Sequence, residues 1–407
     1  MSLPSICCCA RRATSVDADR FGLMANNSFV FDGGGSARPD VQIFPVHRLA
    51  LKNHAGERSS GRVAPSAHHP YKIRELLPMF MKKSLALGIA SLLVATSSAH
   101  AANPAVTDSA PLVHSSKFEA GLFTGYLAGT AREYVYDGET GTKLSQLNWR
   151  IKNAATVGLN VAYRPLDWLT IRGQAWTIVA SNGKLTDYDW TMRSFGIQDW
   201  TDRSISSTRM NQSYGADVSL AATFYRYGGL SLDALAGVRY QTTRFVARDG
   251  SYIYSTDPNA ADDMPPDPST FHNDSGNITG DVITYRQTWR SGYLGMAMRY
   301  EADKFDFYGQ AIVSPWTFGK DRDNHLQTGV ITREHGKRSN MFGMEVGTNY
   351  HLTPRWSLYS SLGYEKYAHT KADTHRWGAE GESFDPTGSA GLANETWNLR
   401  VGAKLAF

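Results

Sequence analysis

Two short strings hold the side chains with which this chain could do chemistry: Thr186-Asp187-Tyr188-Asp189-Trp190 and Asp321-Arg322-Asp323-Asn324-His325. In extended backbone, residues two apart share a face, so Asp187 and Asp189 form one carboxylate pair, and Asp321, Asp323 and His325 form a second group. Histidine has the side chain whose ordinary pKa suits proton transfer near neutrality. A carboxylate two positions away on the same face can orient its ring and stabilise its cation. No Gly-x-Ser-x-Gly elbow is present, and no cysteine lies beyond residue 9 to serve as nucleophile. A water activated by His325 and held by Asp187 and Asp189 is left as the attacking group. Because like charges on one face repel, one of those two carboxylates is expected to share a proton, which could hold the water or be donated to an oxyanion.

What positions these residues depends on which part of the chain folds. Residues 79–101 read as a secretory signal, with Lys82 and Lys83 as the basic start, Leu85 to Ala95 as the apolar stretch and Ala99-His100-Ala101 as a small-x-small cleavage site. Residues 1–78 are rich in Arg, Ser, Gly and Pro, hold all three cysteines (Cys7, Cys8, Cys9) and show neither strand nor helix period. They are expected to be a leader ahead of a misassigned start, and residues 102–407 to be the folded domain. Residues 1–101 carry 12 of the 42 Lys and Arg and 6 of the 38 Asp and Glu, so the remainder has a formal charge of −2 instead of +4. The basic balance of the whole chain therefore gives no support for a nucleic-acid partner. Without Cys, residues 102–407 hold neither a disulfide framework nor a zinc-type Cys/His spacing, and no metal or organic cofactor is expected. The acidic run 257–267 reads as a solvated loop in preference to a calcium site.

Beyond residue 102 no apolar run approaches the length of a membrane helix, yet apolar and polar residues alternate over long stretches. From Trp397 to Phe407 every odd position is apolar, while Asn398, Arg400 and Lys404 occupy the other face. The same period runs through Leu230 to Tyr240, Ala216 to Phe224 and Phe305 to Val313. Such strands have lipid on one side and a polar lumen on the other. Turn signals divide the chain into ten, at 117–137, 144–164, 167–181, 210–227, 230–255, 278–301, 304–321, 328–352, 355–372 and 387–407. Links near Pro165, Gly228-Gly229, Asp303 and Pro354 are tight, whereas 183–209, 256–277 and 373–386 look long and polar. The expected fold is all-β, a ten-stranded antiparallel transmembrane β-barrel in the outer membrane. At roughly 3.3 Å per residue and a tilt near 45°, about twenty residues rise on the order of 45 Å, so the barrel should project well above a ~25 Å apolar band.

Asp187 lies 22 residues past the turn at Pro165, and Asp323 lies 20 past the one at Asp303, so two hairpins deliver the acidic strings to similar heights. In the strand from Phe305 the lipid-facing positions are odd as far as Val313 and even at Trp316 and Phe318. A bulge at Ser314-Pro315 explains the switch, and beyond it Asp321, Asp323 and His325 point inward. On the strand leading to Asp187 and Asp189 the phase is ambiguous past Ala175.

Six strings in order resemble the omptins, ten-stranded outer-membrane endopeptidases of Gram-negative bacteria: 132–136 (REYVY), 145–149 (SQLNW), 187–190 (DYDW), 200–202 (WTD), 250–255 (GSYIYS) and 323–325 (DNH). That resemblance implies an aspartic-type protease that cuts beside Arg or Lys, preferably paired. Asp323 and His325 would be its catalytic dyad and Asp187 and Asp189 the facing couple. Glu133 and Asp321 would line the pocket for the basic residue before the cut bond, and Asp202 the pocket after it. It also implies lipopolysaccharide as an activating lipid on the outer wall, where Tyr240 and Arg244 match and Arg338 falls where a basic residue is expected, with Arg286 and Arg290 as further phosphate binders. Thr242 and Thr288 stand where the family usually has an acid and an Arg, and Asn148 replaces a common Asp. Basic peptides or proteins are the expected substrates, a monomer the expected state, and a non-enzymatic adhesin or narrow pore the alternative function.

Overall fold

The computed structural model describes residues 116–192, 196–256 and 268–407. The readings of 1–101 as leader and signal and of 257–267 as a solvated loop lie outside these residues. Eleven antiparallel strands form a ring of ten staves: β1 Phe118–Tyr136, β2 Lys143–Leu166, β3 Leu169–Asp189, β4 Asp202–Met210, β5 Tyr214–Tyr227, β6 Leu230–Tyr254, β7 Asp274–Ala302, β8 Phe305–His325, β9 Val330–His351, β10 Trp356–Gly378 and β11 Gly381–Ala406. β4 and β5 are two halves of one stave, since both pair with β3 on one side and β6 on the other. The stave breaks at 211–213, where Gln212 has φ 51. There the Ser181 hydroxyl accepts from Met210 N at 2.6 Å, replacing a ladder bond. The ring closes through β1 with β11, which leaves no sheet edge.

The expected strand number holds, but four strands run further than alternation indicates. β3 continues to Asp189, β4 fills much of the expected link 183–209, and β10 and β11 meet across the tight turn at Ala379-Glu380. The reason is physical: above the membrane neither face of the wall meets lipid, so pairing persists where the apolar period has stopped.

Lipid-facing side chains such as Leu122, Tyr126, Leu159, Val218, Val238, Met296, Phe318, Phe342, Leu362 and Leu399 form an exposed apolar band on the lower wall. No helix among the described residues is long and apolar enough to cross a membrane; the strands cross instead. Inside, three levels follow one another. The lowest is a polar chamber crossed by the ion pairs Arg172–Asp233 (2.9 Å), Arg299–Asp306 (2.6 Å) and Arg400–Glu345 (3.4 Å), topped by Arg239 between Asp217 and Glu365. Above it lies an aromatic floor, with Trp289 stacked on Tyr367 at 4.7 Å and Trp149 on Tyr285 at 5.0 Å, packed by buried Leu392, Leu147 and Leu185. The third level is an acidic cleft.

Candidate active site

Bulges at the top of the apolar band aim the acids into the cleft. On β8 the register with β9 shifts between Ser314 and Thr317, and the Ser314 hydroxyl donates to Gly292 O at 2.7 Å while accepting from Trp316 N at 3.1 Å. Beyond this bulge Thr317, Asp321 and Asp323 are buried, and Phe318, Lys320 and Arg322 are exposed. On β3 the register with β2 shifts between Ile178 and Ala180, which turns the odd positions inward. Asp187 and Asp189 therefore line the same cleft as Asp323 and His325. From the last lipid-facing side chains, Phe318 on β8 and Val179 on β3, the acids are 5 and 8 residues further along. That places the cleft roughly 10–20 Å above the band, outside the membrane.

His325 Nε2 lies 2.7 Å from Asp323 Oδ2, and Asp323 is 2% exposed. Across the cleft, the Ser145 hydroxyl donates to Asp187 Oδ1 at 3.3 Å. Below the dyad, the Tyr285 hydroxyl donates to Asp321 Oδ2 at 3.0 Å. Gln287 holds Tyr285 in turn, its amide nitrogen donating to the phenol at 3.0 Å while its carbonyl accepts from Trp289 Nε1 and Asn394 Nδ2, both at 2.9 Å. Burial on the aromatic floor pushes the Asp321 carboxyl up to about 7, partly offset by hydrogen bonds from Tyr285 and Glu334. Burial also raises Glu133 well above the usual carboxylate range, and the charges of Asp323 and Asp321 raise it further.

Glu334 on β9 is a cleft residue that sequence reasoning missed. It stands opposite Asp321 in the β8–β9 register, is 3% exposed and lines the cleft. Alternation from the exposed Phe342, Met344 and Val346 would turn every even position outward, but a shift opposite Phe318–Lys320 reverses the phase and brings Glu334 in. The adjacent cations Lys337-Arg338, which interrupt the apolar period, were the available signal.

Asp202 also lines the cleft, with both carboxylate oxygens engaged: Oδ1 accepts from Ser255 N and Oδ2 from the Thr201 hydroxyl, each at 3.0 Å. Asn148 accepts from Gln146 Nε2 at 2.9 Å. On the outer wall, Tyr240 and Arg286 line a recess with Gln212, Thr242, Thr288 and Lys320. Arg244 and Arg286 both donate to Gln212 Oε1, at 2.5 and 3.3 Å, and Arg290 lies 5.9 Å from the Tyr240 ring centre. Arg338 is exposed on β9, separated from Arg290 by Phe318, which is paired with both. The Thr242 and Thr288 hydroxyls bond each other at 3.1 Å.

With this geometry in place, the family model for the omptins matches residues 114–407. The chain is a member of the omptin family. It is 29% identical over 318 residues to the plasminogen activator of Yersinia pestis, covering 75% of this chain and 95% of that protein. It is likewise 29% identical over 297 residues to outer membrane protease OmpP of Escherichia coli, covering 72% and 90%. The crystal structure of outer membrane protease OmpT from Escherichia coli superposes with a TM-score of 0.65 at 25% identity, covering 71% of this chain and 96% of that one. This omptin is an outer-membrane β-barrel.

Proposed function

We propose that this omptin is an aspartic-type endopeptidase that hydrolyses peptide bonds beside Arg or Lys, preferably paired, with a water as nucleophile. The observation that carries this reading is the 2.7 Å pair of Asp323 and His325 in one cleft with Asp187 and Asp189, directly above buried carboxyls. Asp323 accepts the Nε2 proton and fixes the ring, so Nδ1 takes a proton from the water as its oxygen attacks the carbonyl carbon. Asp187 and Asp189 hold that water, and the proton they share supports the oxyanion. The imidazolium then protonates the leaving amine as the carbon–nitrogen bond breaks. Glu133 and Asp321 receive the basic side chain before the cut bond, and Asp202 borders the subsite after it.

Lipopolysaccharide is the proposed lipid partner, bound by its phosphates at Arg244, Arg286, Arg290 and Arg338 beside Tyr240. Loss of activation when the lipid's phosphates are removed would support that role; equal activity with and without them would remove it. The enzymatic reading is tested with purified protein reconstituted in lipopolysaccharide. It should cut an Arg-Arg peptide in the presence of serine and thiol reagents, and His325→Ala should not. An intact peptide with wild type would favour an adhesin or pore, whose binding or conductance Asp323→Asn would leave unchanged, and full activity in His325→Ala would overturn the role given to the dyad.

A further inference from the structure

At the cleft there is one more buried acid than the proposed reaction uses. Glu133, Asp321 and Glu334 are 3%, 6% and 3% exposed, on three different strands, and none of them forms an ion pair with a Lys or Arg among the described residues. Glu133 Oε2 is buried without any hydrogen-bond partner, and Asp321 Oδ1 and Glu334 Oε2 are buried with no donor but the neighbouring carboxyl. A buried carboxylate oxygen left in this state is costly unless a ligand satisfies it. Glu133 and Glu334 both line the cleft, so their unsatisfied oxygens border a space that a substrate can enter, and Asp321 stands directly opposite Glu334 in the β8–β9 register.

We propose that Glu334 completes, with Glu133 and Asp321, a three-carboxyl pocket for the guanidinium or ammonium of the substrate, and that Glu334 sets the preference for a charged side chain over a neutral one of the same shape. This inference rests on the endopeptidase reading above. Guanidinium presents five N–H donors in a planar fork, and carboxyls from β1, β8 and β9 can meet it from separate directions. In the empty pocket Glu334 and Asp321 lie within hydrogen-bonding reach once one of them is protonated, and burial together with the Asp321 and Glu133 charges raises Glu334 well above the usual carboxylate range. An entering cation reverses that balance and draws the proton off, so the pocket is selective for charge as well as shape. The groups facing Glu334 are Glu133 of β1, Tyr285 of β7, Asp321 and Asp323 of β8 and, in the wider cleft, His325, Asp187 and Arg376 of β10.

The test compares two peptides identical except for Arg or its neutral isostere citrulline before the cut bond, using the full barrel in lipopolysaccharide. Glu334→Gln should lower the Arg-to-citrulline ratio of kcat/KM by about tenfold or more, mainly through KM of the Arg peptide, with citrulline cleavage changed less than about threefold. Glu334→Asp, which keeps the charge, should hold the ratio within about threefold of wild type. The wild-type ratio should rise as pH passes through about 7, where Asp321 loses its proton. An unchanged ratio in Glu334→Gln, or an equal loss on both peptides, would overturn the assignment while leaving the protease reading intact. A wild type that cuts neither peptide overturns the protease reading and this one with it. Should Glu334→Gln fail to fold, Glu334→Ala removes the carboxyl without leaving an amide to satisfy and is read against the same outcomes.

Discussion

The lower chamber and the upper cleft are both acidic interiors of one barrel, yet they handle charge in opposite ways. In the chamber each acid has a resident cation: Asp233 has Arg172, Asp217 and Glu365 share Arg239, and Asp306 has Arg299 and His351. At the cleft Glu133, Asp321 and Glu334 have none, although they are similarly buried. The chamber acids are therefore neutralised from within the fold, whereas these three carboxyls have no ion-paired Lys or Arg, a place that the cation of a basic substrate would fill. The difference teaches that burial of acid alone does not mark a functional site; burial of acid without its counter-ion does.

Breaking the dyad should have the largest effect. Asp323→Asn or His325→Ala is expected to lower kcat/KM by about a thousandfold on an Arg-Arg peptide, with the folded barrel retained on gel mobility and far-ultraviolet dichroism. In the chamber, Arg239→Met should leave kcat per folded molecule nearly unchanged but destabilise the barrel by about 3–5 kcal/mol, because Asp217 and Glu365 are left without their partner. Denaturant unfolding in detergent reads this directly, and an activity loss without a stability loss would erase the contrast between the two regions.

The cleft should behave in the opposite sense. Asp321 has a folded pKa raised to about 7, so its contribution to stability is greatest in acid and is lost as pH rises through about 7. Asp321→Asn should accordingly stabilise the barrel at pH 8 by about 1 kcal/mol or more, with little gain at pH 4, while weakening binding of Arg peptides. Equal stabilisation at both pH values would show that the carboxyl does not titrate in this range. The smallest effect is expected at Asp202, whose oxygens are held by Ser255 and Thr201. Asp202→Asn should change kcat/KM by less than about fivefold and act chiefly on selectivity after the cut bond.

The barrel was legible in the sequence because lipid imposes a period of two wherever it touches the wall, and that period ends with the lipid. Above the band, β3, β4, β10 and β11 continue on polar residues that carried no such mark. The inward turn of Asp321, Asp323 and His325 could be read because Pro315 flags its bulge. The equivalent bulges on β3 at Val179 and on β9 beside Lys337-Arg338 contain no proline, so the first left the phase of Asp187 open and the second hid Glu334. The aromatic floor that desolvates the acids was also out of reach, since Trp149, Tyr285, Trp289 and Tyr367 meet from three strands far apart in sequence.

The central claim is that a histidine–aspartate dyad cuts where an unneutralised acidic pocket holds a substrate cation. It is tested most directly by mapping every new N-terminus produced from a diverse peptide mixture by wild type and by Asp323→Asn. The account predicts wild-type cuts confined to bonds beside Lys or Arg, and none in Asp323→Asn. Cuts distributed without regard to basic residues, or cuts that persist in the variant, would contradict it.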